Sequence, residues 1–230
     1  MLINILIPTK ERGVKLLKCL GSIVEAKKQI NDNFYVFIYF SVKEEFNIVD
    51  HLLNSYPWIL PRFVDKYNSS SDFWNSCFKE HHADIYYYLN DDILLAPDCF
   101  KNSIDNMNKY FPDLDGVIGL NQENIPLNQQ CKAAFGAIGT KFMERFQNKE
   151  VFCPQYKRFF LDQELYEYSS KINKFYFDES AKLIHCHPAF DKKYEDNTHF
   201  DVRKYLGRDK EMHLRRKREN LLWGESYVKV

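Results

Sequence analysis

The sequence has no net charge, no long apolar run and no paired cysteines, and each absence removes a class of protein. With 32 basic and 32 acidic side chains, it has no global field to draw it to nucleic acid or a membrane surface. No apolar stretch approaches the ~20 residues that span a bilayer, so no membrane span is expected. The first eight residues lack the basic flank and cleavage site of an export signal, which leaves a cytoplasmic location as the expectation. Cysteines 19, 77, 99, 131, 153 and 186 form no C-x-x-C pair, so neither a zinc site nor a disulfide framework is indicated, and a reducing cytosol suits them. Glycine is scarce, and residues 8–13 contain only Gly13. That counts against a glycine-rich phosphate loop after the first apolar run. There is no internal repeat and no low-complexity linker.

What is present fits one globular domain. A chain of 230 residues can bury a full core, with 45% hydrophobic and 28% charged residues in the ordinary range. Aromatics reach 16%, but Asn, Lys and Ile rise with them, so compositional bias explains the excess better than ring-stacking platforms do.

The first half alternates strand and helix patterns. Residues 2–7 are a continuous apolar run, read as a strand buried on both faces. Val14, Leu17, Leu20 and Val24 then recur at helical spacing. Residues 34–40, 62–64 and 85–89 read as the next three strands, with Ser69 to Asp72 offering caps for a helix between the last two. Such a rhythm implies an α/β fold with a mostly parallel sheet flanked by helices. Ligands bind such sheets beyond the carboxyl ends of the strands, which selects residues 8–12, Ser41, 65–68 and 90–92. In the second half, strands are expected at 116–120, 132–138, 175–177 and 182–186, with a helix at 161–172. One or two exposed helices follow from residue 191.

Tyr86-Tyr87-Tyr88-Leu89-Asn90-Asp91-Asp92 delivers an acidic pair at the end of a strand. Hard oxygen ligands there suit Mg²⁺ or Mn²⁺ carrying a diphosphate. An acidic β-turn is the plainer alternative. His185 and His187, two apart on a strand, share a face and can point at one site. Gly136 and Gly139 fit equally a close backbone approach to a ligand and a strand-to-helix turn. The basic run 213–218, interleaved with Asp209, Glu211 and Glu219, reads as a solvated helix face.

Taken in order along the chain, these segments resemble family 2 glycosyltransferases with the GT-A fold. The resemblance rests on Ile5-Leu6-Ile7-Pro8-Thr9-Lys10-Glu11-Arg12 with the Leu-rich helix after it, and on Asn75 before the fourth strand. It rests also on Asn90-Asp91-Asp92 at the DxD motif, and on Asn220 to Gly224 at the end of the catalytic region. Asn90 replaces the first Asp of that motif. The resemblance implies a Rossmann-like GT-A domain over 1–190, with a nucleotide-sugar half (1–120) and an acceptor half (121–190). Residues 191–230 become a helical extension packing on it. It implies a UDP- or GDP-sugar donor contacted by Pro8, Thr9, Arg12, Ser41, Asp65, Asn75, Asn90 and Asp91. It implies Mn²⁺ or Mg²⁺ held by Asp92 with His185 or His187, and Asp162 as the general base of an inverting transfer, with Leu161 where the family's partner Glu stands. The acceptor is not specified. A nucleic-acid acceptor has only the basic tail in its favour, and the neutral net charge opposes it. Two rival readings stand beside this one: a nucleotidyltransferase, and a nucleotide- or carbohydrate-binding protein that has lost catalysis.

Overall fold

β1 (Leu2–Thr9) sends Ile3, Ile5 and Ile7 to one face of the sheet and Leu6 to the other, and the two faces become two hydrophobic cores. Strand geometry requires this split, because successive Cβ atoms point to opposite sides. The computed structural model describes residues 1–64, 69–188 and 191–224, with the side chains of Lys43, Thr198 and His199 left aside. α1 (Gly13–Lys27) covers the first face with Leu16, Cys19, Leu20 and Ile23, three or four residues apart and all buried. After β2 (Asn33–Phe40), α2 (Phe46–Ser55) and β3 (Ile59–Phe63), α3 (Ser70–Glu80) covers the second face with Phe73, Trp74, Cys77 and Phe78. The Ser69 hydroxyl caps α3, accepting from the Asp72 N–H at 3.0 Å.

β4 (Ile85–Tyr88) runs between the two cores with every side chain buried. Three buried tyrosines are tolerable because each hydroxyl is satisfied. Tyr86 donates to the His81 carbonyl at 2.8 Å, Tyr87 meets Ser103 Oγ at 2.6 Å and Tyr88 donates to the Ala133 carbonyl at 2.9 Å. The chain continues through β5 (Ile93–Leu95), α4 (Cys99–Tyr110), β6 (Val117–Gln122), β7 (Gly136–Gly139), α5 (Thr140–Met143), α6 (Leu161–Lys171) and β8 (Phe175–His185). The sheet order is β3-β2-β1-β4-β7-β6-β8-β5. Four of the seven pairings are parallel, and the antiparallel ones fall in the second half, at β4–β7, β6–β7 and β5–β8.

Several boundaries depart from expectation for physical reasons. β3 begins at Ile59 and contains Pro61, which is harmless because β3 is an edge strand paired only with β2. β5, three residues after the acidic turn, has too little length to show a period. The two strands expected at 175–177 and 182–186 are one, interrupted by a bulge where the register jumps from Leu120↔Asp178 to Asn121↔Lys182. Asp178 holds that bulge, its Oδ1 accepting from the Ser180 and Ala181 N–H groups at 2.9 and 3.1 Å. Gly136 and Gly139 serve close packing within the sheet: a Cβ on either would strike the carbonyl oxygen of Ile118 or Leu114.

α7 (Asn197–Arg203) and α8 (Leu206–Arg218) follow. The basic run on α8 is not simply a solvated face, since Asp209, His213 and Arg216 are buried. Arg216 lies 2.8 Å from Glu164 of α6, and Glu164 also accepts the Trp223 N–H at 2.7 Å. No described helix is long and apolar enough to cross a membrane.

Candidate active site

Two adjoining cavities, of about 220 and 210 Å³, open beyond the carboxyl ends of β1, β2 and β4. The turn after β4 forms their floor. Asp91 and Asp92 are almost fully buried there, and Arg12 explains how two adjacent carboxylates endure it. Its Nη1 lies 3.1 Å from Asp91 Oδ1 and 3.1 Å from Asp92 Oδ2. Arg12 also pairs with Asp196, at 3.0 Å from Nε, and Lys15 reaches the same carboxylate at 2.5 Å. Burial first, then the Asp92 charge, push the Asp91 carboxyl above the usual range, while Arg12 draws it back. Burial opposes the charge on Arg12 as well, but Asp91, Asp92 and Asp196 outweigh it and raise the guanidinium. Arg12 itself is fixed from behind, its backbone N–H donating to the buried Glu45 carboxylate.

The β5–β8 pairing sets Ile93 opposite His185, which brings His185 to the acidic turn. His185 Nε2 faces Asp92 Oδ1 at 3.6 Å. Gln122 Oε1 lies 2.9 Å from Nδ1, a partner for an Nδ1–H in the tautomer that would leave Nε2 as the metal-binding nitrogen. This pair fits a divalent cation. Metal–ligand distances of about 2.1 Å let two donors on one ion lie up to about 4.2 Å apart. Oriented imidazoles with a second-shell acceptor are the usual arrangement in metal sites. Among the described residues there is no cluster of three or more His, Cys, Asp or Glu for a metal, so the rest of a shell would come from ligand oxygens and water. His187 lines the same cavity, with its ring centroid 5.0 Å from that of His185.

The opposite wall comes from α6 and the segment before it. Phe160 has a left-handed backbone, φ 67°, and turns the chain into the helix, so that Asp162 in the first turn lines the second cavity. Burial raises the Asp162 carboxyl above its ordinary value. The Cys131 thiol, the first-turn N–H groups and Arg158 oppose that rise by favouring the charged form. Asp209 of α8 fixes the preceding segment. Fully buried, it accepts the backbone N–H groups of Lys157 at 3.1 Å, Arg158 at 2.7 Å and Phe159 at 2.9 Å.

The structure therefore gathers most of the expected residues. Pro8, Thr9, Ser41 and Asp91 line the first cavity, Asp92, Asp162, His185 and His187 the second, and Arg12 and Asn90 both. Asn75 is not among the residues that line either cavity. It is buried in α3, donating to the Phe152 carbonyl at 2.7 Å and accepting the Phe152 N–H at 3.0 Å. Both ends of its amide are engaged by the Phe152 backbone, as in a structural clamp. Asp65 lies outside the described residues. Sequence reasoning missed Arg158, which lines both cavities. Its only sequence signal is its place four residues before Asp162.

No protein-family model and no curated protein matches the sequence. Solved structures do. The mannosyltransferase PcManGT from Pyrobaculum calidifontis, in complex with GDP-Man and Mn²⁺, superposes with a TM-score of 0.62 at 13% identity, over 80% of this chain and 56% of that one. TarS from S. aureus (residues 1–349) gives 0.61 at 12% identity over 84% and 63%. The same TarS fragment in complex with UDP-GlcNAc gives 0.60 at 13% over 80% and 58%. The chain thus covers less than two thirds of each of these structures. Identity this low speaks to architecture, and on that level the chain has the GT-A fold of the nucleotide-diphospho-sugar glycosyltransferases.

Proposed function

We propose that the protein is a metal-dependent, inverting glycosyltransferase that moves a sugar from a UDP- or GDP-sugar to a hydroxyl acceptor. The observation that carries this reading is one cavity with Asp92 Oδ1 and His185 Nε2 facing each other at 3.6 Å on its floor and Asp162 in its wall. The solved structures with GDP-Man and Mn²⁺, and with UDP-GlcNAc, support a nucleotide-sugar as the donor.

In this reading Pro8, Thr9, Ser41 and Asn90 border the nucleotide. Asp92 and His185, with His187 beside them, hold Mn²⁺ or Mg²⁺. When bound, the ion offsets charge on the donor diphosphate. Charge arithmetic supports the need for it. Arg12 and Lys15 already face Asp91, Asp92 and Asp196, so these side chains alone leave no surplus for a dianionic donor. Asp162 takes the proton of the acceptor hydroxyl as that oxygen forms its bond to the anomeric carbon. The bond from that carbon to the diphosphate oxygen breaks with its electron pair leaving on the diphosphate, and attack from the opposite face inverts the centre. The raised proton affinity of Asp162 matches such a base better than an ordinary surface carboxylate would. Residues 1–120 then form the donor half and 121–190 the acceptor half. In the extension that begins at residue 191, Asp196 and Asp209 brace both halves. Six free cysteines, five of them buried, suit a reducing cytosol.

The test is release of nucleoside diphosphate from a panel of UDP- and GDP-sugars with Mn²⁺, Mg²⁺ or chelator. Turnover with metal is expected, falling about 10²- to 10⁴-fold in Asp162→Asn without loss of nucleotide binding. Full activity in Asp162→Asn would mean that another group is the base. Absence of turnover with every donor, despite nucleotide binding, would favour a binding protein over an enzyme.

A further inference from the structure

Arg158 stands where the two cavities meet, and it differs from the other arginine there. Arg12 has three carboxylate partners. Among the described residues, the guanidinium of Arg158 makes its side-chain hydrogen bond to a neutral group: Nη1 donates to Ser70 Oγ at 2.9 Å. Both residues line both cavities. The backbone of Arg158 is anchored independently, its N–H held at 2.7 Å by the buried carboxylate of Asp209. The side chain thus projects from a fixed point, and the one residue it bonds to among those described is neutral, so carboxylates act on its charge only from a distance. A half-buried cation without a carboxylate partner is a poor use of stability unless an anion joins it.

We propose that Arg158, with Ser70, forms an anion subsite that takes one phosphate group at the junction of the cavities. The proposal rests on the nucleotide-sugar reading for its two sources of that phosphate: the diphosphate of the donor, or a phosphate borne by the acceptor. The planar guanidinium suits a phosphate, to which it can give two parallel N–H bonds, and the Ser70 hydroxyl adds a third donor. Burial first, and the charge of Arg12 second, press the Arg158 guanidinium below the ordinary arginine value, and Asp92, Asp91 and Asp162 act the other way. An anion seated between Arg12 and Arg158 relieves the repulsion between them. No other residue of the acceptor-half wall described above brings a positive charge to this junction.

The experiment is calorimetric titration of the full chain and of Arg158→Gln, Arg158→Lys and Ser70→Ala with UDP, GDP and inorganic pyrophosphate in Mg²⁺. Arg158→Gln is expected to weaken the nucleotide that binds, and pyrophosphate, by about 10- to 100-fold. Arg158→Lys should recover part of that loss, and with Ser70→Ala it carries the test should Arg158→Gln fail to fold. Repeating the pyrophosphate titration in saturating UDP or GDP separates the sources. Binding that disappears points to the donor diphosphate, and binding that persists and depends on Arg158 points to an acceptor phosphate. Nucleotide and pyrophosphate affinities unchanged in every variant overturn the subsite while leaving the donor reading intact. Pyrophosphate binding through Arg158 with no nucleotide bound does the reverse. A wild-type chain that binds none of the probes overturns both.

Discussion

Replacing Asp209 with Ala removes one side chain from α8 and unfastens a segment that lies 51 residues earlier in the chain. The carboxylate is fully buried and accepts from three consecutive backbone N–H groups at 3.1, 2.7 and 2.9 Å. An N–H left buried without a partner costs about 1–3 kcal/mol, so three set a range of about 3–9 kcal/mol. Water entering the space vacated by the carboxylate restores some of this, and the lower end, about 3–5 kcal/mol, is expected. For a chain of this size each kcal/mol moves the midpoint by about 2–4 °C, so Asp209→Ala should melt about 6–20 °C lower. Asp209→Asn keeps one acceptor oxygen and should lose roughly half as much. The assay is thermal and urea unfolding of the three proteins, followed by circular dichroism. A midpoint within about 2 °C of wild type for Asp209→Ala would refute the reasoning, because three N–H groups cannot then depend on that carboxylate. The same variant should lose transfer activity at temperatures where it is still folded, since Arg158 and Asp162 follow the segment that Asp209 holds.

Other predictions follow from the same geometry. Because burial raises Asp162, the acid limb of the pH–rate profile should lie above the ordinary carboxylate range. Cys131→Ala, which removes a donor that favours the charged form, should move that limb higher still. The sign for stability is opposite to that of a salt-bridged Asp: folding favours protonated Asp162. Its contribution therefore declines as pH rises from about 4 through the raised value, a slope that Asp162→Asn should remove. Asn75→Ala should destabilise the fold by about 2–4 kcal/mol, through the orphaned N–H and carbonyl of Phe152, and leave nucleotide affinity within about twofold. Glu164→Gln should cost about 3–5 kcal/mol in urea unfolding, since it strands the buried Arg216. A loss under about 1 kcal/mol would show that Arg216 finds another partner.

How much of this was legible in the sequence depended on the range of the interactions involved. The strands β1, β2 and β4 announce themselves because two-sided burial demands unbroken apolar runs, and the rule for parallel sheets then selects Thr9, Arg12 and Asn90 to Asp92. His185 was reachable too, since a histidine pair at the end of an apolar run is conspicuous. The clamp that Asn75 makes was not legible because its partner, Phe152, is 77 residues away in a segment without periodicity. Arg158 was missed for the same reason: the acceptor that fixes its backbone, Asp209, comes 51 residues later, on a helix whose charges look solvated. β5 was too short to carry a pattern, and Pro61 disguised β3 until its edge position was known. Residues that line a strand end are written locally, and residues that hold a loop in place are not.

The central claim is a metal-assisted diphosphate site built on Asp92 and His185. Calorimetric titration of UDP and GDP with Mn²⁺ and with chelator, on the wild-type chain and on Asp92→Ala, tests it most directly. The account predicts that one of the two nucleotides binds with Mn²⁺, and that chelator or Asp92→Ala weakens it at least about tenfold, the effect of losing a single charge-assisted ligand. Equal binding with and without metal, unaffected by Asp92→Ala, would contradict it.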